Sequence, residues 1–160
     1  MNALLSPRLL RRAMLLRDID AVFAVEACVY SHPWTRGNFT DSLAAGYIAE
    51  LLLTGDGGLV GYFVAMTGVD ELHLLNITVA PDWQGLGHGQ SLMAVLRQRA
   101  MHLGLSTLWL EVRQSNERAR ALYRRLGYAE VGLRRGYYPA VGAREDAVVM
   151  RLAVSDGAGT

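Results

Sequence analysis

Lysine is absent from this chain of 160 residues, and all sixteen basic residues are arginine. This absence excludes a Schiff-base lysine, a lysine general base and the phosphate-binding lysine of a Walker loop. Charge of one sign does not dominate either, because the formal net charge is only +1. No overall electrostatic field is therefore expected to draw the protein to nucleic acid or to a membrane surface.

Cysteine and long apolar runs are also scarce. Cys28 is the one cysteine, so no internal disulfide can form, which is typical of a reducing compartment. The N-terminal segment MNALLSPRLLRR has no basic region before its short apolar patch. No apolar run reaches the roughly 20 residues of a membrane helix. These features predict a cytoplasmic protein without a signal peptide.

The apolar and turn residues that are present suit one α/β domain. Their spacing predicts the order β-α-α-β-β-β-α-β-α-β-β, and hence one mixed sheet with helices on both faces. We expect a domain over residues 1–155 and a flexible tail over 156–160. The predicted strands are 8–15, 47–54, 59–67, 71–79 and 107–112, with two more in 128–154; the predicted helices are 19–30, 35–46, 88–104 and 116–127.

Residues that favour helix ends support these boundaries. Asp18 stands just before one predicted helix and Asn116 is the first residue of another, where a side-chain oxygen can accept from a free helix amide. Gly46, Gly104 and Gly127 are the last residues of three predicted helical segments, where a left-handed residue is common.

Three glycines at alternate positions, Gly85, Gly87 and Gly89, stand between a predicted strand and a predicted helix. The first amides of a helix have no internal partner and lie at the positive end of its dipole, so an anion binds there if no Cβ intervenes. The alternative is a tight turn that needs glycine only for its shape. Because three glycines exceed what one turn requires, the loop favours a phosphate-bearing ligand.

Two common phosphate loops do not fit this segment. The Walker loop needs the lysine that the chain lacks. Glu111 ends the following strand, 24 residues after Gly87, close to where a dinucleotide-binding fold has its acidic residue. However, the glycine spacing is G-x-G-x-G, the loop follows a hairpin past mid-chain, and 160 residues leave no room for a second nucleotide-binding half.

The segment NITVAPDWQGLGHG resembles the signature of the acetyl-CoA-dependent N-acetyltransferase (GNAT) superfamily, whose loop reads Gln/Arg-x-x-Gly-x-Gly/Ala. Gln84, Gly87 and Gly89 match that loop. With LWLEVRQSNERARALYRRLGY and RRGYYPAVGAREDAVVM, the chain is similar to the bacterial ribosomal-protein alanine N-acetyltransferases from His32 to Met150. The resemblance implies a GNAT fold, a mostly antiparallel sheet with a splayed central parallel pair, and acetyl-CoA as cosubstrate without a metal.

The resemblance also implies which groups hold acetyl-CoA. The loop would bind the pyrophosphate through backbone amides, the preceding strand would offer its backbone to the pantetheine arm, and the later helix would contact the cofactor. His88 departs from the family pattern and either assists the phosphate or faces solvent. The implied residues are Ile77, Thr78, Val79, Gln84, Gly85, Leu86, Gly87, His88, Gly89, Gln90, Asn116 and Tyr123.

Acetyl transfer to an amine needs a base, and Glu111 is the candidate. An α-amine has an ordinary pKa of about 8, against about 10.4 for lysine, so a carboxylate acting directly or through water can serve. The residues alone equally allow an exposed carboxylate on an edge strand, paired with Arg113 or another arginine; the resemblance implies the base. Glu71, at the start of the preceding strand, is the second candidate.

Tyr123 is the candidate acid. It lies seven residues after Asn116, on the same face of the predicted helix. A phenol of pKa about 10 can protonate a thiolate of pKa about 8.5. The residues alone favour a core tyrosine, whereas the resemblance implies the acid. Cys28 raises a ping-pong alternative through an acetyl-cysteine, but a free cysteine is usually a small buried hydrophobe.

The acceptor side is marked by aromatic residues. LRRGYYP (133–139) resembles the family's acceptor-side loop, where Tyr137 and Tyr138 could clamp an extended peptide. An ordinary aromatic hairpin is the alternative. Trp34 is a candidate wall of the acceptor site, and Glu71 could attract a basic peptide.

The acceptor implied by the resemblance is the N-terminal alanine of a small-subunit ribosomal protein. The amine would attack the thioester directly. We expect no direct contact with nucleic acid or membrane. The sequence does not reveal the oligomeric state, and of the possible states we favour a monomer. Two other functions remain open on the sequence. One is a GNAT enzyme that acts on lysine side chains or a small-molecule amine, and the other is a non-catalytic acetyl-CoA-binding regulatory module.

Overall fold

The computed structural model of the chain describes residues 8–154, and its elements follow the predicted order. The expected tail at 156–160 lies outside the described residues. Within this range no helix is long and apolar enough to cross a membrane. The strands are β1 (Leu9–Ala13), β2 (Ile48–Thr54), β3 (Leu59–Gly68), β4 (Glu71–Val79), β5 (Thr107–Arg113), β6 (Ala129–Ala140) and β7 (Ala143–Ala153). The helices are α1 (Ile19–Val29), α2 (Arg36–Ala44), α3 (His88–His102) and α4 (Glu117–Arg125).

Across the described residues, seven strands form one mixed sheet in the order β1-β2-β3-β4-β5-β7-β6. β4 and β5 are parallel, with Glu71 opposite Thr107 and Leu74 opposite Leu110, and both strands continue past the end of this ladder. The pairs β1–β2, β5–β7 and β6–β7 are antiparallel. A parallel pair needs a long crossover connection, and α3 lies within it. The expected mixed α/β sheet with a parallel pair is confirmed.

The described residues group into two compact units. The first comprises residues 8–64 and Asn76–Leu92, and carries α1, α2 and the glycine loop. The second comprises Ala65–Leu75 and residues 93–154, and carries β5, α4, β6 and β7. β3, β4 and α3 each contribute residues to both units.

Alternation along β4 and β5 decides which side chains are buried. Every second residue of β4, from Leu72 to Thr78, is buried, and so are Leu108, Leu110 and Val112 of β5. Since strand side chains alternate between faces, His73 and Glu111 lie on the other, less buried face. The register sets His73 opposite Trp109, so His73 and Glu111 share that face of the parallel pair.

The start of α1 differs from the expected cap. Asp18 occupies the N-cap position, but its side chain makes no cap hydrogen bond. Its carboxylate instead accepts from the Arg12 guanidinium at 2.7 and 2.8 Å and from the Leu15 amide at 2.8 Å. These bonds hold the pKa of Asp18 below its ordinary value, and the bond from Arg12 has the largest effect. At α4 the expected cap is present, because Asn116 Oδ1 accepts from the Ala119 amide at 3.2 Å.

The segment 133–139, expected to be a loop on the acceptor side, is part of a strand. β6 runs through Tyr138 and Pro139 to Ala140 and pairs with β7, with a shift of register between Arg134 and Tyr138. Side chains of β7 bind the backbone at this irregularity. Asp146 accepts from the amide of Gly136, whose φ is 61°, and Arg144 donates to the carbonyls of Gly136 and Tyr137.

Candidate active site

The glycine loop precedes α3 in the first unit. Gly85 and Gly87 have φ angles of 77° and 87°, in the left-handed region that favours glycine, whereas Gly89 lies inside the helix. A Cβ on Gly87 would meet no atom of the protein within 4 Å. The backbone conformation therefore favours glycine at positions 85 and 87. The space beside Gly87, where a Cβ would lie, contains no other atom of the protein.

The first turn of α3 supplies donors beside this space. The amide of Ser91 donates to the carbonyl of Gly87 at 3.1 Å and closes the first turn. The amides of His88, Gly89 and Gln90 precede that bond and so have no partner within the helix. Helix amides, the positive end of the dipole and a cradle that a Cβ would fill fit the pyrophosphate of a coenzyme.

Two further side chains of the loop have defined contacts. Gln84 Nε2 donates to the carbonyl of Val79 at 3.0 Å, which ties the loop to the end of β4. The His88 ring packs edge-on against Trp83 with centroids 5.7 Å apart and is half-buried. Leu86 is exposed.

A polar network that was not predicted from the sequence holds the end of β4. The Tyr30 hydroxyl donates to the carbonyl of Ile77 at 3.0 Å and lies 2.8 Å from Thr78 Oγ1. Thr78 donates to Asn76 Oδ1 at 2.8 Å, and Asn76 donates to Glu26 Oε1 at 3.1 Å. Burial raises the pKa of Tyr30 to about 12, so its hydroxyl stays protonated at neutral pH.

Glu26 is the centre of this network and is only 2% exposed. Its carboxylate also accepts from the Tyr62 hydroxyl at 2.6 Å and from the Trp34 amide at 3.0 Å. A buried carboxylate is tolerated when several donors satisfy it. The sequence signal that could have indicated the burial of Glu26 was its spacing from Ile19 and Val22, because the three residues recur on one helical face. All three are buried.

Trp34, expected as a wall of the acceptor site, is half-buried in the first unit. Its ring packs on Phe39 with centroids 5.1 Å apart. The bond from its amide to Glu26 fixes the backbone that precedes α2.

Glu111 lies in the second unit with a side chain only 7% exposed. Its Oε2 is 2.5 Å from His73 Nε2, and its Oε1 is 3.3 Å from Arg134 Nε. The alternative of an exposed edge-strand carboxylate is wrong, because β5 lies between β4 and β7. Arg113 is not its partner, since Arg113 binds Glu145 at 3.1 Å and the carbonyl of Pro139 at 2.9 Å. The expected pairing with another arginine is present, because that arginine is Arg134.

The residues of α4 occupy the expected element. Asn116 caps the helix, and Tyr123 is buried at 8% exposure. The Tyr123 ring lies 6.0 Å from that of Tyr128, and the Tyr128 amide donates to the Tyr123 carbonyl at 3.0 Å.

Two tyrosines of β6 pack against arginines of the same unit. The rings of Tyr137 and Tyr138 meet edge to face with centroids 4.9 Å apart. The guanidinium of Arg134 lies over Tyr137, and that of Arg113 lies over Tyr138. Burial raises the pKa of Tyr138 above its ordinary value. Through Arg134, the aromatic pair and Glu111 belong to one cluster.

Glu71 and Cys28 stand apart from this cluster in different ways. Glu71 begins β4 on the face that His73 shares and is half-buried beside Gly68. Cys28 is exposed, so the expectation of a buried hydrophobe is wrong. The reason is that α1 buries the face of Ile19, Val22 and Glu26 instead. Elsewhere, residues 8–154 contain no group of three or more His, Cys, Asp or Glu placed to hold a metal ion.

Comparison with known proteins finds consistent relatives. A model described as the acetyltransferase (GNAT) family matches residues 19–128. The ribosomal protein bS18-alanine N-acetyltransferase of Escherichia coli K12 is 38% identical over 138 residues, covering 86% of this chain and 93% of that protein. The crystal structure of the ribosomal-protein-S18-alanine N-acetyltransferase from Escherichia coli superimposes with a TM-score of 0.85 at 35% identity, covering 92% of this chain and 95% of that one.

A more distant structure shares the fold alone. It is a phosphinothricin acetyltransferase from Sinorhizobium meliloti in complex with AcCoA, with a TM-score of 0.77 and 20% identity. The superposition covers 95% of this chain and 91% of that one.

Proposed function

Because the chain belongs to the acetyltransferase (GNAT) family, we propose that it acetylates the N-terminal alanine of a small-subunit ribosomal protein. The family comprises N-acetyltransferases that use acetyl-CoA, so the chain is an acyltransferase with acetyl-CoA as cosubstrate. The acceptor is the proposed part.

One observation supports the proposed acceptor. A relative that is 38% identical over 86% of this chain is named as an alanine N-acetyltransferase of ribosomal protein bS18. The alignment covers 86% of this chain and 93% of that protein, so the similarity is not confined to the glycine loop. Relatives that share the fold alone carry no such argument.

For the cosubstrate, we propose the glycine loop as the pyrophosphate site. The open space beside Gly87 and the free amides of His88, Gly89 and Gln90 support this role. The backbone of Ile77, Thr78 and Val79 would bind the pantetheine arm. The other proposed contacts are Gln84, Gly85, Leu86, Asn116 and Tyr123.

Bound acetyl-CoA supplies an activated acetyl thioester, and the protein supplies the proton transfers. Glu111 is the proposed carboxylate that draws a proton from the α-ammonium group of the acceptor, so that the neutral nitrogen can attack. Tyr123 is the proposed acid, whose hydroxyl gives its proton to the leaving sulfur. An acid of ordinary pKa about 10 can protonate a thiolate of ordinary pKa about 8.5 at neutral pH.

For the acceptor peptide, we propose contacts with Tyr137, Tyr138, Trp34 and Glu71. The exposed ring of Tyr137 and the stacked arginines support an aromatic surface of defined shape. A ribosomal acceptor implies a cytoplasmic enzyme. With a net charge of +1, we expect the protein to recognise the peptide rather than RNA or a membrane. Of the possible oligomeric states, we propose a monomer.

A thiol-release assay with three acceptors tests the proposal. The acceptors are a basic peptide that begins with alanine, the same peptide with a blocked N-terminus and an internal lysine, and spermidine. We expect turnover with the first alone, and mass spectrometry should place the acetyl group on the α-amine.

The other outcomes separate the competing functions. Preference for the blocked peptide or for spermidine would replace the α-amine by a lysine or a small amine as acceptor. Binding of acetyl-CoA without thiol release, with any of the three, would indicate a non-catalytic module.

A further inference from the structure

We propose that Glu111 acts through His73, whose imidazole receives the proton of the α-ammonium group while Glu111 holds and stabilises the imidazolium. The inference rests on the proposed function, because it concerns the base of the same reaction. It adds a catalytic residue that no motif of the sequence indicates.

The hydrogen bonds of the pair assign these roles. Both oxygens of Glu111 are engaged, Oε2 by His73 Nε2 at 2.5 Å and Oε1 by Arg134 Nε at 3.3 Å. His73 Nε2 faces a carboxylate, so the favoured tautomer has its proton on Nε2 and donates it to Glu111. That tautomer leaves the lone pair on Nδ1 as the base, as in other imidazoles oriented by a carboxylate.

The difference in exposure supports the same assignment. The His73 side chain is 20% exposed, whereas that of Glu111 is 7% exposed. A nearly buried carboxylate exchanges protons with solvent poorly, while the more exposed imidazole can receive a proton directly or through one water. The imidazole is therefore the better placed of the two to take the proton and later release it.

The ordinary acidities of the two groups favour the imidazole as proton acceptor. An α-ammonium group has an ordinary pKa of about 8, an imidazole about 6.5 and a glutamate carboxylate about 4.3. Transfer to an imidazole is therefore uphill by roughly 1.5 units, against more than 3 for a carboxylate.

The charged groups around His73 come from several elements. Glu111 of β5 contacts the ring, Arg134 of β6 pairs with the far oxygen of Glu111, and Glu71 precedes His73 on the same face of β4. The Arg151 guanidinium of β7 lies over Trp109, the residue opposite His73. The other neighbour of β4 in the sheet, β3, carries no Asp, Glu, Lys, Arg or His in its described span. Of these charged groups, Glu111 is the one with a hydrogen bond to the imidazole among the described residues.

The step balances without a further reactant. One proton leaves the ammonium nitrogen for His73 Nδ1, which converts a neutral imidazole into an imidazolium bound to the Glu111 carboxylate. The freed electron pair of the nitrogen forms the bond to the acetyl carbon, and the pair of the carbon–sulfur bond leaves with the sulfur, which takes the proton of the Tyr123 hydroxyl. A second proton leaves the nitrogen as the amide forms, and it restores the Tyr123 hydroxyl through solvent. The imidazolium then returns its proton to solvent.

His73→Gln tests the inference, because the amide still donates to Glu111 but takes up no proton. We expect kcat with the alanine peptide to fall about 10²-fold, with acetyl-CoA binding and melting temperature nearly unchanged. In the wild-type enzyme, protonation of the imidazole should make kcat/KM fall toward low pH. His73→Gln should lack this part of the fall. His102→Gln, an exposed histidine at the end of α3, is the matched control and should keep wild-type kinetics.

His73→Ala with added imidazole gives an independent readout. Free imidazole should restore a measurable part of the lost activity, because the missing group is a base and not only a hydrogen-bond donor. If His73→Gln keeps the wild-type kcat and the wild-type acid limb, or imidazole restores nothing, Glu111 acts without His73 and the inference fails. Those results leave the proposed function intact, which fails separately if wild-type protein releases no thiol with the alanine peptide.

Discussion

At the residue scale, Gly87 and Gly57 provide a matched comparison. Their φ angles are 87° and 93°, and a Cβ on either would meet no atom of the protein within 4 Å. Alanine at either position should therefore carry a similar backbone cost of about 1–2 kcal/mol. Gly87→Ala should also place a methyl group in the proposed pyrophosphate cradle, whereas Gly57 belongs to the turn between β2 and β3.

We expect Gly87→Ala to weaken acetyl-CoA binding at least 10-fold by calorimetry, and Gly57→Ala to leave the Kd unchanged. Both variants should lower the melting temperature by similar amounts. Equal affinities of the two variants for acetyl-CoA would show that the pyrophosphate does not bind at the glycine loop.

Tyr123 provides a second prediction at this scale. Tyr123→Phe removes only the hydroxyl of a side chain that is 8% exposed, so the fold should be retained. If the hydroxyl protonates the leaving sulfur, kcat should fall about 10²-fold while the Kd for acetyl-CoA changes little. Steady-state thiol release and calorimetry measure the two quantities. Unchanged kcat would remove Tyr123 from the proposed acid role.

At the element scale, the Glu26 network couples α1 to the end of β4 and to the segment before α2. Glu26→Leu would leave the Tyr62 hydroxyl, the Asn76 amide group and the Trp34 backbone amide without their acceptor. Leaving several buried donors unpaired should lower the free energy of unfolding by about 3–5 kcal/mol. Urea denaturation measures this loss.

An exposed ion pair is the control for this prediction. Asp20 pairs with Arg36 at 3.0 Å with both side chains largely exposed, so Asp20→Asn should leave the free energy of unfolding nearly unchanged. If Glu26→Leu behaves like Asp20→Asn, the network contributes little to stability and the donors must find other partners.

At the scale of the whole molecule, the cosubstrate should stabilise the native state. A ligand that binds only the folded protein contributes about 2.7 kcal/mol at a concentration of 100 times its Kd. For a chain of this size that raises the melting temperature by about 5–10 °C. Differential scanning fluorimetry with acetyl-CoA measures the shift, and S-acetylpantetheine, which lacks the pyrophosphate, should give little at the same concentration. An equal shift with both ligands would show that the pyrophosphate contributes no binding energy.

Local signals in the sequence predicted most of the fold. The alternation along Glu71–Val79, the cap at Asn116 and the glycine that follows each of three helices depend on residues a few positions apart, and the element order predicted from them is confirmed. The glycine loop could likewise be predicted from the sequence, because a left-handed backbone and a helix start both depend on adjacent residues. The family resemblance that these motifs supported is confirmed as well.

Tertiary structure alone decided the partners of the charged groups. Glu111 contacts His73, which lies 38 positions away in the sequence, and it pairs with Arg134 rather than with Arg113. Strand register and strand order set these contacts. Asp18 binds Arg12 in place of a helix amide, and Tyr138 and Pro139 extend β6 because side chains of β7 satisfy its irregular backbone. A local pattern determines the conformation of a segment, whereas the partner of a buried charge depends on which distant segments pack beside it.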